Sequence, residues 1–186
     1  MKPAIREGLR SDFAYALEKM ITSKGNDLLS YSYEKPVLLV FLRQFGCIFC
    51  REGLQELSKQ QEKIIKLGYN IVFVHLSDDN TAIHYFKNYK IKNPEFVCDP
   101  GMNYYAAFGL GKGTTKQLFG LKTWVRGFEA SILKGNSYSR VIGDGLQMPG
   151  VFILQHGTIK SQFIHDLISD KPNYDDLLNC CIITDK

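Results

Sequence analysis

Long apolar runs are missing from this chain of 186 residues. The longest, Val37 to Leu42, falls far short of the roughly 20 apolar residues that a membrane-spanning helix needs. The opening Met1-Lys2-Pro3-Ala4-Ile5-Arg6-Glu7 lacks an apolar h-region, so no signal peptide is expected and reducing cytosol is the default compartment. Charge of one sign is also scarce. A surplus of +4 with no dense Lys/Arg stripe argues against a nucleic-acid binder. The four histidines form no cluster, so the sequence offers no His-rich metal site. Cysteines number five, an odd set spread over a chain too large for a secreted disulfide scaffold. No repeat, low-complexity tract or linker divides the chain.

What is present is an alternation of strands and helices. Residues 11–21 carry Phe13, Ala16, Leu17 and Met20 at helical spacing behind a Ser or Asp cap. The run 37–42 reads as a fully buried strand. Leu54, Leu57, Ile64, Ile65 and Leu67 keep helical spacing up to Gly68, a C-terminal stop. Residues 71–76 form a second apolar run, and Ser77-Asp78-Asp79-Asn80 can cap a helix carrying Ile83 and Phe86. A short strand at 96–98 ends in the turn signal Asp99-Pro100-Gly101. A helix is predicted over 114–133, then a hairpin with strands at 151–154 and 159–164 around Gln155-His156-Gly157-Thr158, and a last helix near 173–180. The first strand–helix–strand unit implies a parallel pair with a right-handed crossover.

The chemistry concentrates where the first strand meets its helix, at Cys47-Ile48-Phe49-Cys50. Two thiols at i and i+3 in a first helical turn share a face, close enough for a strained local disulfide. The free N–H groups and positive end of the helix stabilise a thiolate there, and the thiolate is the nucleophile. Arg43 and Arg51 flank the pair and can lower its pKa further. An early CxxC beside a strand–helix–strand unit is the sequence cue for a thioredoxin-like redox domain. Two other readings stay open: half of a zinc site, or two inert core thiols. Zinc needs two more ligands, and only Cys98 with His75 could supplement the pair, without ligand spacing.

The segment from Val40 to Glu52, together with Asp99-Pro100, the Gly109–Arg126 stretch and Gly145-Leu146-Gln147-Met148-Pro149-Gly150-Val151-Phe152, resembles the peroxiredoxin-like AhpC/TSA-related family of the thioredoxin superfamily. The resemblance covers roughly residues 30–180. It implies an α/β, thioredoxin-like fold: one domain over 1–186 with a central mixed sheet flanked by helices. A helical extension at about 1–30 and a helical insertion at about 101–147, before the late hairpin, complete that expectation. It also implies a thiol-dependent reductase of a peroxide, lipid endoperoxide or disulfide, without cofactor or metal. A thioredoxin- or glutathione-type donor would restore the dithiol, and a homodimer is possible in such relatives. Peroxiredoxins place Thr or Ser about one helical turn before the attacking cysteine and an Arg just before a late strand. Here those places hold Gln44 and Met148-Pro149-Gly150. Met148-Pro149 resembles the X-Pro bond that many thioredoxin-like proteins hold cis opposite the CxxC, which leans toward disulfide exchange.

In this reading Cys47, earlier and more exposed, attacks, and Cys50 resolves by forming Cys47–Cys50. Pro149 faces the pair. Cys98 fills a strand end as a buried thiol, and Cys180 with Cys181 offers a less favoured late resolving thiol. Gly109-Leu110-Gly111-Lys112-Gly113-Thr114-Thr115 lacks the Gly-Lys-Ser/Thr order of a phosphate loop. Lys116, Lys122 and Arg126 around Trp124 read as a solvated basic face. The competing function is a non-catalytic redox-sensing or binding module on the same fold.

Overall fold

The structure is a computed structural model and describes residues 12–114 and 146–181. The helix expected over 114–133, with its basic face, lies outside the described residues apart from Thr114.

Strand β1 (Val37–Phe41) is buried at every position and forms the middle of a five-stranded sheet. It pairs in parallel with β2 (Asn70–His75), which pairs in parallel with β3 (Phe96–Cys98). On its other side β1 pairs antiparallel with β4 (Gly150–Gln155), and β4 with β5 (Thr158–Ile164), giving the order β3-β2-β1-β4-β5. The mixed sheet is the one expected. At its hairpin, His156 and Gly157 both take positive φ (50° and 68°), the conformation of a type I′ turn that suits strand twist.

Strand residues alternate between two apolar layers because their side chains point to opposite faces in turn. Leu38, Val40, Phe73 and Ile153 pack against the helices α3 (Ile48–Lys66), α4 (Asp79–Asn88) and α6 (Tyr174–Leu178). Leu39, Phe41, Val74 and Phe152 face α1 (Asp12–Lys19), α2 (Leu28–Glu34) and α5 (Asn103–Ala107). Each fully buried Leu or Phe side chain contributes about 1.5–3 kcal/mol, so the two layers hold the sheet from both sides.

Local signals set the element ends. Gly68 (φ 89°) follows the end of α3 in the left-handed region that favours glycine. Asp78 caps α4, its carboxylate accepting from the Thr81 amide at 2.9 Å and the Thr81 hydroxyl at 2.7 Å. Asp78→Ala is expected to cost about 1 kcal/mol, read as a lower urea midpoint at unchanged slope. Asp99 performs the same task for α5, accepting from the amides of Asn103, Tyr104 and Tyr105. Helices α2 and α5 were not anticipated individually; both are short and draw their order from packing on the sheet.

Candidate active site

The functional groups gather where the C-terminal end of β1 turns into α3. Helix α3 starts at Ile48, with Cys47 as its N-cap and Cys50 in its first turn. The preceding loop folds back on itself, the Cys47 amide donating to the Gln44 carbonyl at 3.3 Å. That turn brings Arg43 over the first thiol, and Arg43 Nη1 donates to Cys47 Sγ at 3.3 Å. Arg43 is itself buried.

The expectation that Cys47 is the more exposed thiol is corrected. Cys47 is 3% exposed and Cys50 is 8%, because the returning loop and the Arg43 side chain lie on Cys47. Both thiols are free. Their ionisation is divided between them. A hydrogen bond from the Cys50 thiol lowers Cys47 most, burial opposes it, and the Arg43 charge and the amides of Cys50 and Phe49 lower it further, from 9.0 to about 6. Cys50 moves up, held protonated by its hydrogen bond to Cys47, by burial and by the neighbouring negative sulfur. The pair is therefore one thiolate and one thiol donor.

Arg51 sits otherwise than expected. Its Nε donates to the Phe45 carbonyl at 2.8 Å, and its guanidinium reaches Tyr85, with Nη2 3.1 Å from the hydroxyl. It braces the loop that carries Arg43 and Cys47, and the arginine charge acting on the Cys47 thiol is that of Arg43. Pro149 does reach the site and lines the same cleft as the two cysteines. No peptide bond among the described residues is cis, so Met148–Pro149 is trans and departs from the cis X-Pro bond that it resembles in sequence. The loop before Pro149 is tied sideways instead: Gln147 Nε2 donates to the Leu110 carbonyl (2.9 Å) and the Met148 amide to Gly111 (3.1 Å).

The cleft holds about 50 Å³ of room for water-sized contents, enough for a few waters or an oxidant of that size. Its walls are mostly apolar, with Phe49, Pro149, Val151 and Ile168 beside the sulfurs. His165, from the chain after β5, also lines it, with Nδ1 3.1 Å from the Pro149 carbonyl. A carbonyl only accepts, so Nδ1 carries the proton. Burial pushes this imidazole down to about 4, leaving it neutral near pH 7. Beneath the site, the Tyr105 hydroxyl donates to the Leu42 carbonyl and lies 3.1 Å from that of Val74, joining the ends of β1 and β2.

Sequence reasoning missed His165, Tyr105 and an ion cluster of Glu52, Glu56 and Lys171 at the cleft; only the fold brings His165, Tyr105 and Lys171 to the end of the sheet where α3 begins. The other thiols lie elsewhere. Cys98 ends β3 as expected but is exposed rather than buried, its thiol donating to the Ser77 carbonyl at 3.0 Å. Cys180 and Cys181, with sulfurs 3.3 Å apart, sit by Tyr69 beyond the far end of α3, roughly 27 Å along that helix from Cys47 at 1.5 Å per residue. Among the described residues no three His, Cys, Asp or Glu side chains gather as a metal would require, and no helix is long and apolar enough to cross a membrane.

Comparison with known proteins agrees with this architecture. The profile of the AhpC/TSA antioxidant enzyme family matches residues 56–166, a span that begins just past the two cysteines. A prostamide/prostaglandin F synthase of Salmo salar is 26% identical over 165 residues, covering 87% of this chain and 82% of that protein. Peroxiredoxin 6 of Arenicola marina superposes with a TM-score of 0.60 at 10% identity, over 86% of this chain and 66% of its own, just under two thirds of its length. A yeast mitochondrial 1-Cys peroxiredoxin, described with thiol resolution through glutathione and thioredoxin systems, superposes at 0.53 with 12% identity, over 86% of this chain and 68% of its own. The mixed sheet, the helices on both faces and the matched profile place this chain in the AhpC/TSA antioxidant enzyme family, with a peroxiredoxin-like form of the thioredoxin fold.

Proposed function

We propose that this protein is a thiol-dependent oxidoreductase that passes two electrons from Cys47 and Cys50 to a hydroperoxide. The observation that carries the reading is the buried Arg43 guanidinium 3.3 Å from a Cys47 sulfur whose pKa is lowered to about 6. At neutral pH Cys47 is then a thiolate with a cation beside it, ready to attack an oxygen and to hold the charge that develops on its neighbour.

In the first step the Cys47 thiolate attacks the outer oxygen of ROOH. The O–O bond breaks, Cys47 becomes a sulfenic acid, and RO⁻ leaves and takes a proton as ROH. In the second, the Cys50 sulfur attacks the sulfenic sulfur. Its proton leaves with the hydroxyl as water, and the Cys47–Cys50 disulfide forms. One thioredoxin-type dithiol, or two glutathione-type monothiols in turn, returns two electrons and two protons by exchange through a mixed disulfide. Such donors belong to a reducing compartment, and the yeast relative's glutathione and thioredoxin systems support that choice. The peroxide-binding hydroxyl one turn before the cysteine is replaced by Gln44, so Arg43 carries the oxygen-facing role here.

The apolar cleft and the prostamide/prostaglandin F synthase relative support a lipidic peroxide or endoperoxide as a second substrate class. Burial of both sulfurs favours a competing reading, a redox-sensing module that is oxidised once and not turned over.

One equivalent of hydrogen peroxide, followed by non-reducing peptide mapping, tests the mechanism. The expected product is a peptide carrying Cys47 and Cys50 that is lighter by two hydrogens. Absence of that link, with full reductase activity in Cys47→Ser, would overturn the proposal. Repeated turnover with a dithiol donor rejects the sensing module.

A further inference from the structure

Three cysteines take no part in the chemistry at Cys47, and two of them form a second pair. Cys180 and Cys181 lie in the 3₁₀ turn Asn179–Cys181 that follows α6, and their sulfurs are 3.3 Å apart. Both are free thiols. The pair stands beyond the far end of α3 from Cys47, so neither sulfur reaches the first site within one chain. Cys180 is exposed, and Cys181, although buried, lines a groove with Tyr69 and Leu178 that is open to solvent.

Each sulfur has a hydroxyl beside it, brought by a different element. The Tyr69 hydroxyl, from the chain just after α3, donates to the Leu178 carbonyl at 2.7 Å and also hydrogen-bonds the Cys181 side chain. The Ser161 hydroxyl, on β5, hydrogen-bonds Cys180. Burial, the hydrogen bond to Cys181 and the negative charge on that sulfur push Cys180 up to about 11, with Ser161 opposing them. Cys180 is thus the partner that keeps its proton, and Cys181 the sulfur that meets donors on two sides. The first site divides its thiols in the same way, Cys50 donating to Cys47.

We propose that Cys180 and Cys181 are a second dithiol site, oxidised to a disulfide by a hydroperoxide independently of Cys47 and Cys50. The Cys181 thiolate attacks the outer oxygen of ROOH. The O–O bond breaks, Cys181 becomes a sulfenic acid, and RO⁻ takes a proton and leaves as ROH. The Cys180 sulfur then attacks the sulfenic sulfur, and the hydroxyl leaves with the Cys180 proton as water. Two thiols lose two electrons and two hydrogens in all. Neighbouring Cα atoms are about 3.8 Å apart, less than the roughly 4.4–6.8 Å of ordinary disulfides, so the link is strained and easily reduced. A strained, exposed disulfide is the labile kind that records an oxidant and is then reset by a dithiol.

The test uses the full chain carrying Cys47→Ser and Cys50→Ser, treated with hydrogen peroxide and read by non-reducing peptide mapping. The peptide holding Cys180 and Cys181 should become lighter by two hydrogens and recover them with dithiothreitol. In urea, where Tyr69 and Ser161 leave the sulfurs, the link should form severalfold more slowly. Tyr69→Phe removes the donor at Cys181 and should slow the first oxidation about tenfold. Ser161→Ala should leave that oxidation unchanged and raise dimedone capture at Cys181 about two- to threefold, because Cys180 closes the link more slowly. This milder variant keeps the test valid if Tyr69→Phe fails to fold.

No loss of two hydrogens, a link to a second chain in place of the internal one, or rates unmoved by urea and by both variants would overturn the second site. A native chain that links Cys47 to Cys50 while Cys180 and Cys181 stay reduced would remove this site and leave the proposed function standing.

Discussion

Cys47→Ser is expected to lower hydroperoxide reduction by at least about three orders of magnitude, because a serine hydroxyl stays protonated where the thiol ionises. Substitutions at the second cysteine should divide its two roles. Cys50→Ser keeps a donor for the Cys47 thiolate but has no sulfur to resolve with. It should give one rapid oxidation, trapped as a dimedone adduct on Cys47, and no steady state. Cys50→Ala removes the donor as well. The hydrogen bond from Cys50 is the largest influence lowering the Cys47 pKa, and bonds to charged groups are worth about 1.5–3 kcal/mol, or roughly one to two pKa units. The first oxidation of Cys50→Ala near neutral pH should therefore be several-fold slower than that of Cys50→Ser. Equal rates would show that Cys50 resolves without activating.

Arg43→Met carries the second large effect. It removes the guanidinium at 3.3 Å from the thiolate. The Cys47 pKa should rise by about one to two units, and peroxide oxidation at pH 7 should fall roughly a hundredfold. On the proposed role of Arg43 beside the departing oxygen, the fall should exceed the loss of thiolate. Arg43→Lys keeps the charge without the planar fork, and should recover the pKa better than the rate. A titration of thiolate absorbance beside stopped-flow oxidation separates the two terms. If both variants matched the native rate, Arg43 would be a packing residue only.

The succession of strands and helices along the chain was legible because its strongest signals are local. The run Val37–Phe41, the stop at Gly68, the Asp78 cap and the hairpin at His156–Gly157 each depend on residues a few positions apart. Arg43 and Cys47 were legible for the same reason, lying four residues apart. Arg51 is equally near in sequence, but a charge count does not give direction. Its guanidinium finds a carbonyl to brace instead of the sulfur. The relative exposure of the cysteines was misjudged because a cap position usually faces outward, and here the 43–46 loop returns across it. Lys171 could not be foreseen. It meets Glu52 across 119 residues of sequence, a meeting that depends on the chain's return through β4 and β5.

The ionisation has a second consequence. A thiol whose pKa the fold lowers stabilises the native state fully above the unfolded value, near 9.0, and that contribution disappears as pH falls through about 6. Activity should instead follow the thiolate fraction of the folded protein, half-maximal near pH 6 and flat above it.

The most direct test is the rate of Cys47 oxidation by hydrogen peroxide as a function of pH, followed by stopped flow in the native chain. The expected profile is a single ionisation near pH 6, flat above it, and absent in Cys47→Ser. An inflection near 9, or equal oxidation in Cys47→Ser, would contradict the claim that an activated Cys47 thiolate delivers the electrons.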